Sequence, residues 1–163
     1  LEHGADKVSI NSPALERPEF INELADVAGS QCVVVGVDSR ATEGVWSTFQ
    51  YTGDVATIRR TPRKTMEWIV EAQARGAGEI VLNCMDRDGT RDGFDIEQLA
   101  VARRLLTIPL VASGGAGAAQ HFADVFAGAD VSGALAASIF HFRRVGVGEV
   151  KSAVAAAGYE VRP

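Results

Sequence analysis

Short apolar runs alternate with longer amphipathic stretches along the chain. Residues 7–10 read as a brief strand, and a helix is expected over about 18–27. The run Gln31-Cys32-Val33-Val34-Val35-Gly36-Val37 is the clearest strand. It is β-branched and nearly unbroken, the pattern of a strand buried on both faces. Residues 39–60 are too many for a simple turn. Within them Val45-Trp46-Ser47-Thr48-Phe49-Gln50-Tyr51 alternates like an arm of an excursion hairpin. A helix is expected over about 62–75, with Pro62 in its first turn, where a missing N–H is tolerated. Beyond it, strands over 79–84, 109–112 and 134–137 alternate with helices over 96–105, 118–126 and 148–157.

Five short strands, each followed by a helix, imply parallel pairing with right-handed crossovers. Such a sheet is either an open doubly wound sheet or part of a (β/α)8 barrel. Five strands cannot close an eight-stranded barrel. The chain starts at Leu1, and Leu1-Glu2-His3-Gly4 reads like the tail of a helix closed by glycine. The expectation is an α/β fold of the TIM barrel family, present as about five βα units in a single partial domain over 1–163, with earlier units absent. Gly4-Ala5-Asp6 before the first strand and Gly128-Ala129-Asp130 before the last form a faint repeat. Duplicated half-barrels would produce it, and so would chance likeness of two βα units.

The run Val111-Ala112-Ser113-Gly114-Gly115-Ala116-Gly117 passes from strand through glycines into helix. That is how a backbone presents bare N–H groups to a phosphate, with glycine where a Cβ would obstruct the approach. Asp88-Gly89-Thr90 is a second such turn, after the preceding strand. Two phosphate-type turns on consecutive strands suggest a phosphorylated substrate.

Composition narrows the function further. With 163 residues, 47% hydrophobic and 23% charged, the chain can bury a core. A net charge of −5 argues against a general nucleic-acid binder. Arg59, Arg60, Arg63 and Lys64 form a local basic cluster, read either as a solvated loop or as an anion-facing one. Cys32 and Cys84 both fall in apolar strand patterns and read as reduced core residues of a cytoplasmic protein. No CxxC or Cys/His metal spacing occurs, so no metal site is expected; no cofactor is expected either. No apolar run approaches the roughly 20 residues of a membrane span, and no signal peptide is seen.

Asp38 directly follows the buried strand, at the end where barrel enzymes place catalytic groups. It could serve as a general acid or base, or cap the following loop. Of Asp86 and Asp88, one could reach the site while the other orders the loop, with Arg87 and Arg91 available to neutralise either. Asn83 could meet a substrate or be a satisfied core amide. His141, among aromatics, reads as packed more readily than catalytic, and His121 as structural. Lys7 and Glu79 begin strands and so belong to the barrel's opposite end, where charge serves stability or a partner interface.

Six motifs occur together in order: Gly4-Ala5-Asp6-Lys7-Val8-Ser9-Ile10-Asn11, Val35-Gly36-Val37-Asp38, Gly76-Ala77-Gly78-Glu79-Ile80-Val81-Leu82-Asn83, Asp86-Arg87-Asp88-Gly89-Thr90, Ala112-Ser113-Gly114-Gly115-Ala116-Gly117 and Ala134-Leu135-Ala136-Ala137-Ser138-Ile139-Phe140-His141-Phe142. They resemble the cyclase subunit of imidazole glycerol phosphate synthase, from the fourth barrel strand to the eighth. The resemblance implies a step of histidine biosynthesis. Ammonia from a glutaminase partner attacks a bisphosphorylated ribulosyl aminoimidazole carboxamide ribotide, giving imidazole glycerol phosphate and an aminoimidazole carboxamide ribotide. It implies that Asp38 is one of two acid–base aspartates, the other lying on a first strand absent here. It implies that Asn11 and Ser12 hold one phosphate, and that Gly89, Gly115 and Ser138, with the neighbouring Gly114 and Ala137, hold the other. Asn83, Asp88 and Ser113 would line the pocket. Lys7 and Glu79 resemble members of a charged ammonia gate, and Asp6 a residue facing the glutaminase.

Two local departures stand out. Val131-Ser132-Gly133 lengthens the approach to the last strand, and Pro62 replaces an expected glycine in the long loop. The sister isomerase of the pathway shares both glycine turns, but the ending Ala137-Ser138-Ile139-Phe140-His141-Phe142 sets this chain apart. A barrel fragment that binds phosphate without turnover is the other alternative, and the chain by itself is expected to be inactive.

Overall fold

A computed structural model describes residues 3–162. Leu1 and Glu2, part of the proposed helix tail, lie outside the described residues. The β-branched run becomes the long central strand β2 (Val33–Thr42). It pairs in parallel with β1 (Val8–Ile10) on one side and β5 (Glu79–Cys84) on the other. β6 (Leu110–Ser113) and β7 (Gly133–Leu135) continue outward from β5, all parallel. Neighbours in this set of five are also consecutive along the chain, with no reversal. That is single winding, as in a (β/α) barrel, and it excludes a doubly wound sheet, whose order reverses at a switch point. The sheet is open among the described residues.

The excursion is larger than one arm. β3 (Val45–Gln50) folds back antiparallel on the extended end of β2, with Asp38 opposite Phe49, and β4 (Arg59–Lys64) adds beyond it. Pro62 therefore lies in a strand and not in a helix. β4 is an outer strand, and its register shifts opposite Ser47 and Phe49, so a residue without an N–H fits there. The helix after it, α3 (Thr65–Ala74), starts three residues later than expected. Cys32 is likewise in a 3-10 turn (Ser30–Cys32) and only partly buried.

Among the described residues, seven helices follow the strands: α1 (Ser12–Glu16), α2 (Glu19–Ala28), α3, α4 (Ile96–Leu105), α5 (Ala119–Ala129), α6 (Ser138–His141) and α7 (Val147–Ala156). The short α1 and α6 were not apparent in the periodicity, since one turn carries too little pattern. α4 starts where the Asp95 side chain accepts from the Gln98 N–H at 3.0 Å. The core lies between sheet and helices, with Ile21, Trp68, Ile69 and Leu99 against Val33, Val35, Ile80, Leu82 and Leu110.

β2 is buried on both faces from Val33 to Ser39 except at the partly buried Gly36, as expected, but β5 is not. In β5, Ile80, Leu82 and Cys84 are buried toward the helices, while Glu79, Val81 and Asn83 are only partly buried. Paired positions share a face, so Val81 and Val111 belong to the second face with the partly buried Gly36. Leu135 on the same face is 47% exposed. An apolar face this open favours association. A polypeptide of these 163 residues expressed alone is expected to self-associate and to be inactive. Sedimentation velocity checks this, and a stable monomer that turns over substrate would contradict it. Among the described residues, no helix is long and apolar enough to cross a membrane.

Burial, with Asp95 and Asp86 nearby, pushes the Cys84 thiol far above its ordinary range. It stays protonated, in keeping with an inert core residue.

Candidate functional site

The site grows from one row of the sheet. Asp38, Asn83, Ser113 and Leu135 are successive partners across β2, β5, β6 and β7, so their side chains share one face at the strands' C-terminal ends. Asp38 is buried, 6% exposed. Its carboxylate accepts three hydrogen bonds. Asn83 Nδ2 donates to Oδ1 at 2.8 Å, while Asn11 Nδ2 donates to Oδ2 at 2.8 Å and Thr52 Oγ1 to the same oxygen at 2.7 Å. Asp38 is thus the centre of a built constellation and not a cap on its own loop. Turned over, the Asn11 amide would set an oxygen against a carboxylate, so its orientation is fixed. Its Oδ1 is then buried with no hydrogen-bond partner among the described residues. A buried acceptor left open is uncommon away from ligand sites.

Beside this carboxylate lies a cleft of about 240 Å³ lined by Asn83, Asp88, Gly89, Ser113, Gly114, Gly115, Ala116 and residues 135–138. It brings together eight of the residues singled out in the sequence, from both glycine turns and the start of α6. Asn83 belongs to the cleft and to the carboxylate at once. In the approach to β7, Val131 is buried, the Ser132 N–H donates to Leu110 O at 2.8 Å, and Gly133 already belongs to the strand. Ser138 lines the cleft. The two aspartates after β5 lie in different places. Asp86 Oδ2 accepts from the Ala41 N–H at 2.7 Å, with Arg40 at 3.5 Å, and orders the loop, while Asp88 lines the cleft. Among the described residues the ion pair of Asp86 is with Arg40, not with Arg87 or Arg91.

The glycines after β6 owe their places first to the backbone of the loop after β5. Gly114 and Gly115 have φ of +91° and +106°, and a Cβ on Gly115 would lie 2.2 Å from Gly93 O. Gly93 N–H donates to Gly115 O at 2.9 Å. Close packing of two loops is therefore sufficient reason for Gly115, beyond any approach of a ligand. Gly89 differs: at φ +78° it has nothing within 4 Å of its Cβ position and stands open at the cleft.

Asn11 and Ser12 sit on the other side of Asp38, at the end of β1. The Ser12 hydroxyl accepts from the Tyr51 N–H at 3.0 Å, and its carbonyl accepts from Gln50 Nε2 at 3.2 Å. The hydroxyl proton of Ser12 remains available to a ligand. Lys7 and Glu79 pair at 2.5 Å at the opposite ends of the strands, and Asp6 is exposed just ahead of β1. Glu79 is four residues before Asn83 on the same face, about 13 Å away at strand spacing. His121 Nδ1 accepts from the Gly117 N–H at 3.1 Å and orders the glycine turn, a structural role as expected. His141 is neither packed nor in the cleft. It is exposed, its ring edge-on to Phe142. The residue that sequence reasoning missed is Thr52: a threonine in a loop carries no signal until the hairpin's register is known. Among the described residues, no group of three or more potential metal ligands occurs.

A family model described as histidine biosynthesis protein matches residues 1–146. The chain belongs to the histidine biosynthesis protein family. Similar members of the family are named imidazole glycerol phosphate synthase subunit HisF. The one from Xanthomonas oryzae pv. oryzae (strain MAFF 311018) is 58% identical over 163 residues, covering 99% of this chain and 63% of the relative. The one from Stenotrophomonas maltophilia (strain K279a) is 59% identical over 160 residues, covering 98% and 62%. The chain thus spans a little under two thirds of the length of these histidine biosynthesis relatives.

Proposed function

We propose that the complete protein carrying this chain is the cyclase subunit of imidazole glycerol phosphate synthase. The observation that supports this best is Asp38, held by three donors at the strands' C-terminal edge, beside a cleft lined by two glycine turns. In this reading the five βα units are the fourth to eighth of an eight-unit barrel. The substrate is a ribulosyl aminoimidazole carboxamide ribotide with two phosphates. One phosphate lies against Gly89, Gly114, Gly115, Ala137 and Ser138, the other against Asn11 and Ser12. Asn83, Asp88 and Ser113 orient what lies between.

Asp38 moves a proton during ring closure, paired with a second carboxylate from the barrel's first strand. Its three donors fix the carboxylate oxygens, which is the positioning that acid–base catalysis needs. Ammonia reaches the site from a glutaminase subunit docked at the other end of the barrel, where Lys7 and Glu79 form part of a gate and Asp6 faces the partner. The ion pair at that end, on the same strand face as Asn83, supports such a path. The test is turnover of this substrate by the complete subunit with an ammonium salt as nitrogen source. Release of imidazole glycerol phosphate is expected. Substrate binding without product would instead support a phosphate-binding scaffold.

A further inference from the structure

We propose that Thr52 is a positioning residue for Asp38, so that the excursion hairpin takes part in the chemistry and does not merely roof the site. The inference rests on the reading of Asp38 as the acid–base group. Three consecutive residues at the end of β3 reach the rim of the site: Gln50 Nε2 and Tyr51 N–H bind Ser12, and Thr52 Oγ1 binds Asp38 Oδ2. The far arm of the hairpin is fastened independently. The Arg63 guanidinium lies over the Trp68 ring at 4.7 Å and pairs with Glu71 on α3. Burial raises the Glu71 carboxyl, but its hydrogen bonds to Arg75 and Arg63 prevail and hold it below the ordinary carboxylate value. Thr48 and Thr61 join the two arms through their hydroxyls. The hairpin is therefore a braced arm that delivers one hydroxyl to one carboxylate oxygen.

That hydroxyl has a task the two asparagines do not perform. Asn83 and Asn11 approach from the strand ends of the sheet itself, whereas Thr52 comes from the excursion. With Asn11 it occupies Oδ2, while Oδ1 has Asn83 as its one side-chain donor among the described residues. Oδ1 is thus the oxygen with more acceptor capacity left, and it lies on the side of Asn83, which lines the cleft. Thr52 selects which oxygen of Asp38 exchanges a proton with a ligand there.

The test compares Thr52→Val and Thr52→Ser in the complete subunit, with Asp38→Asn alongside and an ammonium salt as nitrogen source. Valine keeps the shape and removes the donor, and a hydrogen bond to a charged group is at stake. We expect kcat to fall about 10- to 100-fold in Thr52→Val, with KM for the ribotide within about twofold, the pattern of an interaction that matters beyond uniform binding. Thr52→Ser, which restores the donor, should lie within about threefold of the parent. Melting curves of both variants should overlay the parent, since the hairpin is held elsewhere. Undiminished kcat in Thr52→Val, a raised KM with unchanged kcat, or equal losses in the two variants would each overturn the inference. If Asp38→Asn also remains active, the assignment of Asp38 fails. If Asp38→Asn is inactive and Thr52→Val is not, only the role of Thr52 fails.

Discussion

Asp38→Asn in the complete subunit should lower turnover by at least about 100-fold, the usual scale for removing an acid–base group. Binding of the ribotide should change little. The substitution is nearly isosteric, and the surroundings can adapt: the Asn83 amide can turn over to offer its oxygen to a new NH2 group. The donors from Asn11 and Thr52 would still find an amide oxygen. Fold and cleft should therefore survive, so that lost turnover reports lost proton transfer and not lost structure. Steady-state kinetics together with a ribotide titration check both halves. Near-normal turnover would remove Asp38 from the mechanism.

Gly115→Val should damage the fold before it damages binding. The new Cβ would lie 2.2 Å from Gly93 O and 2.9 Å from Arg87 Cβ, at a backbone φ of +106° that side chains rarely adopt. Overpacking and the left-handed backbone each cost on the order of 1–3 kcal/mol. Together they consume a large share of the roughly 5–15 kcal/mol that stabilises a domain. A fall in melting temperature of many degrees is expected. The expectation from sequence alone, that bare backbone at this glycine serves the phosphate first, does not hold against that geometry. Gly89→Ala is the cleaner probe of the cradle. Its methyl group meets no atom within 4 Å, and its positive φ costs only about 1–2 kcal/mol. Weakened ribotide binding in Gly89→Ala, with the fold intact, is the result that supports a phosphate at this turn.

The parallel strands were legible because their signal is local. Apolar runs ending in small polar residues mark both the strand and the edge where function collects, which is why Asp38 and Asn83 could be named before their register was known, while Ser113 as a lining residue came from the resemblance. The hairpin was half legible. Its first arm alternates in period two, but its second, Arg59-Arg60-Thr61-Pro62-Arg63-Lys64, lacks apolar residues, and its proline suits a helix start equally well. What makes it a strand is tertiary: pairing with β3 and the stack of Arg63 on Trp68. Thr52 was invisible for the same reason. Its partner is 14 residues away, and only the hairpin's register brings the two together. The reason for Gly115 was hidden too, because the atom that excludes a side chain belongs to another loop.

The two glycine loops have a thermodynamic consequence for whatever binds between them. The loop after β5 is turned on itself, with Asp88 and Arg87 N–H groups both donating to Cys84 O, and Gly93 is fastened to Gly115. Fixing a residue's backbone costs about 1–2 kcal/mol of conformational entropy. Here that cost is met when the chain folds, so an arriving anion has little backbone left to order. Binding on this side should therefore show a small entropic penalty, and the Gly93 amide should resist hydrogen exchange equally with the cleft empty or filled.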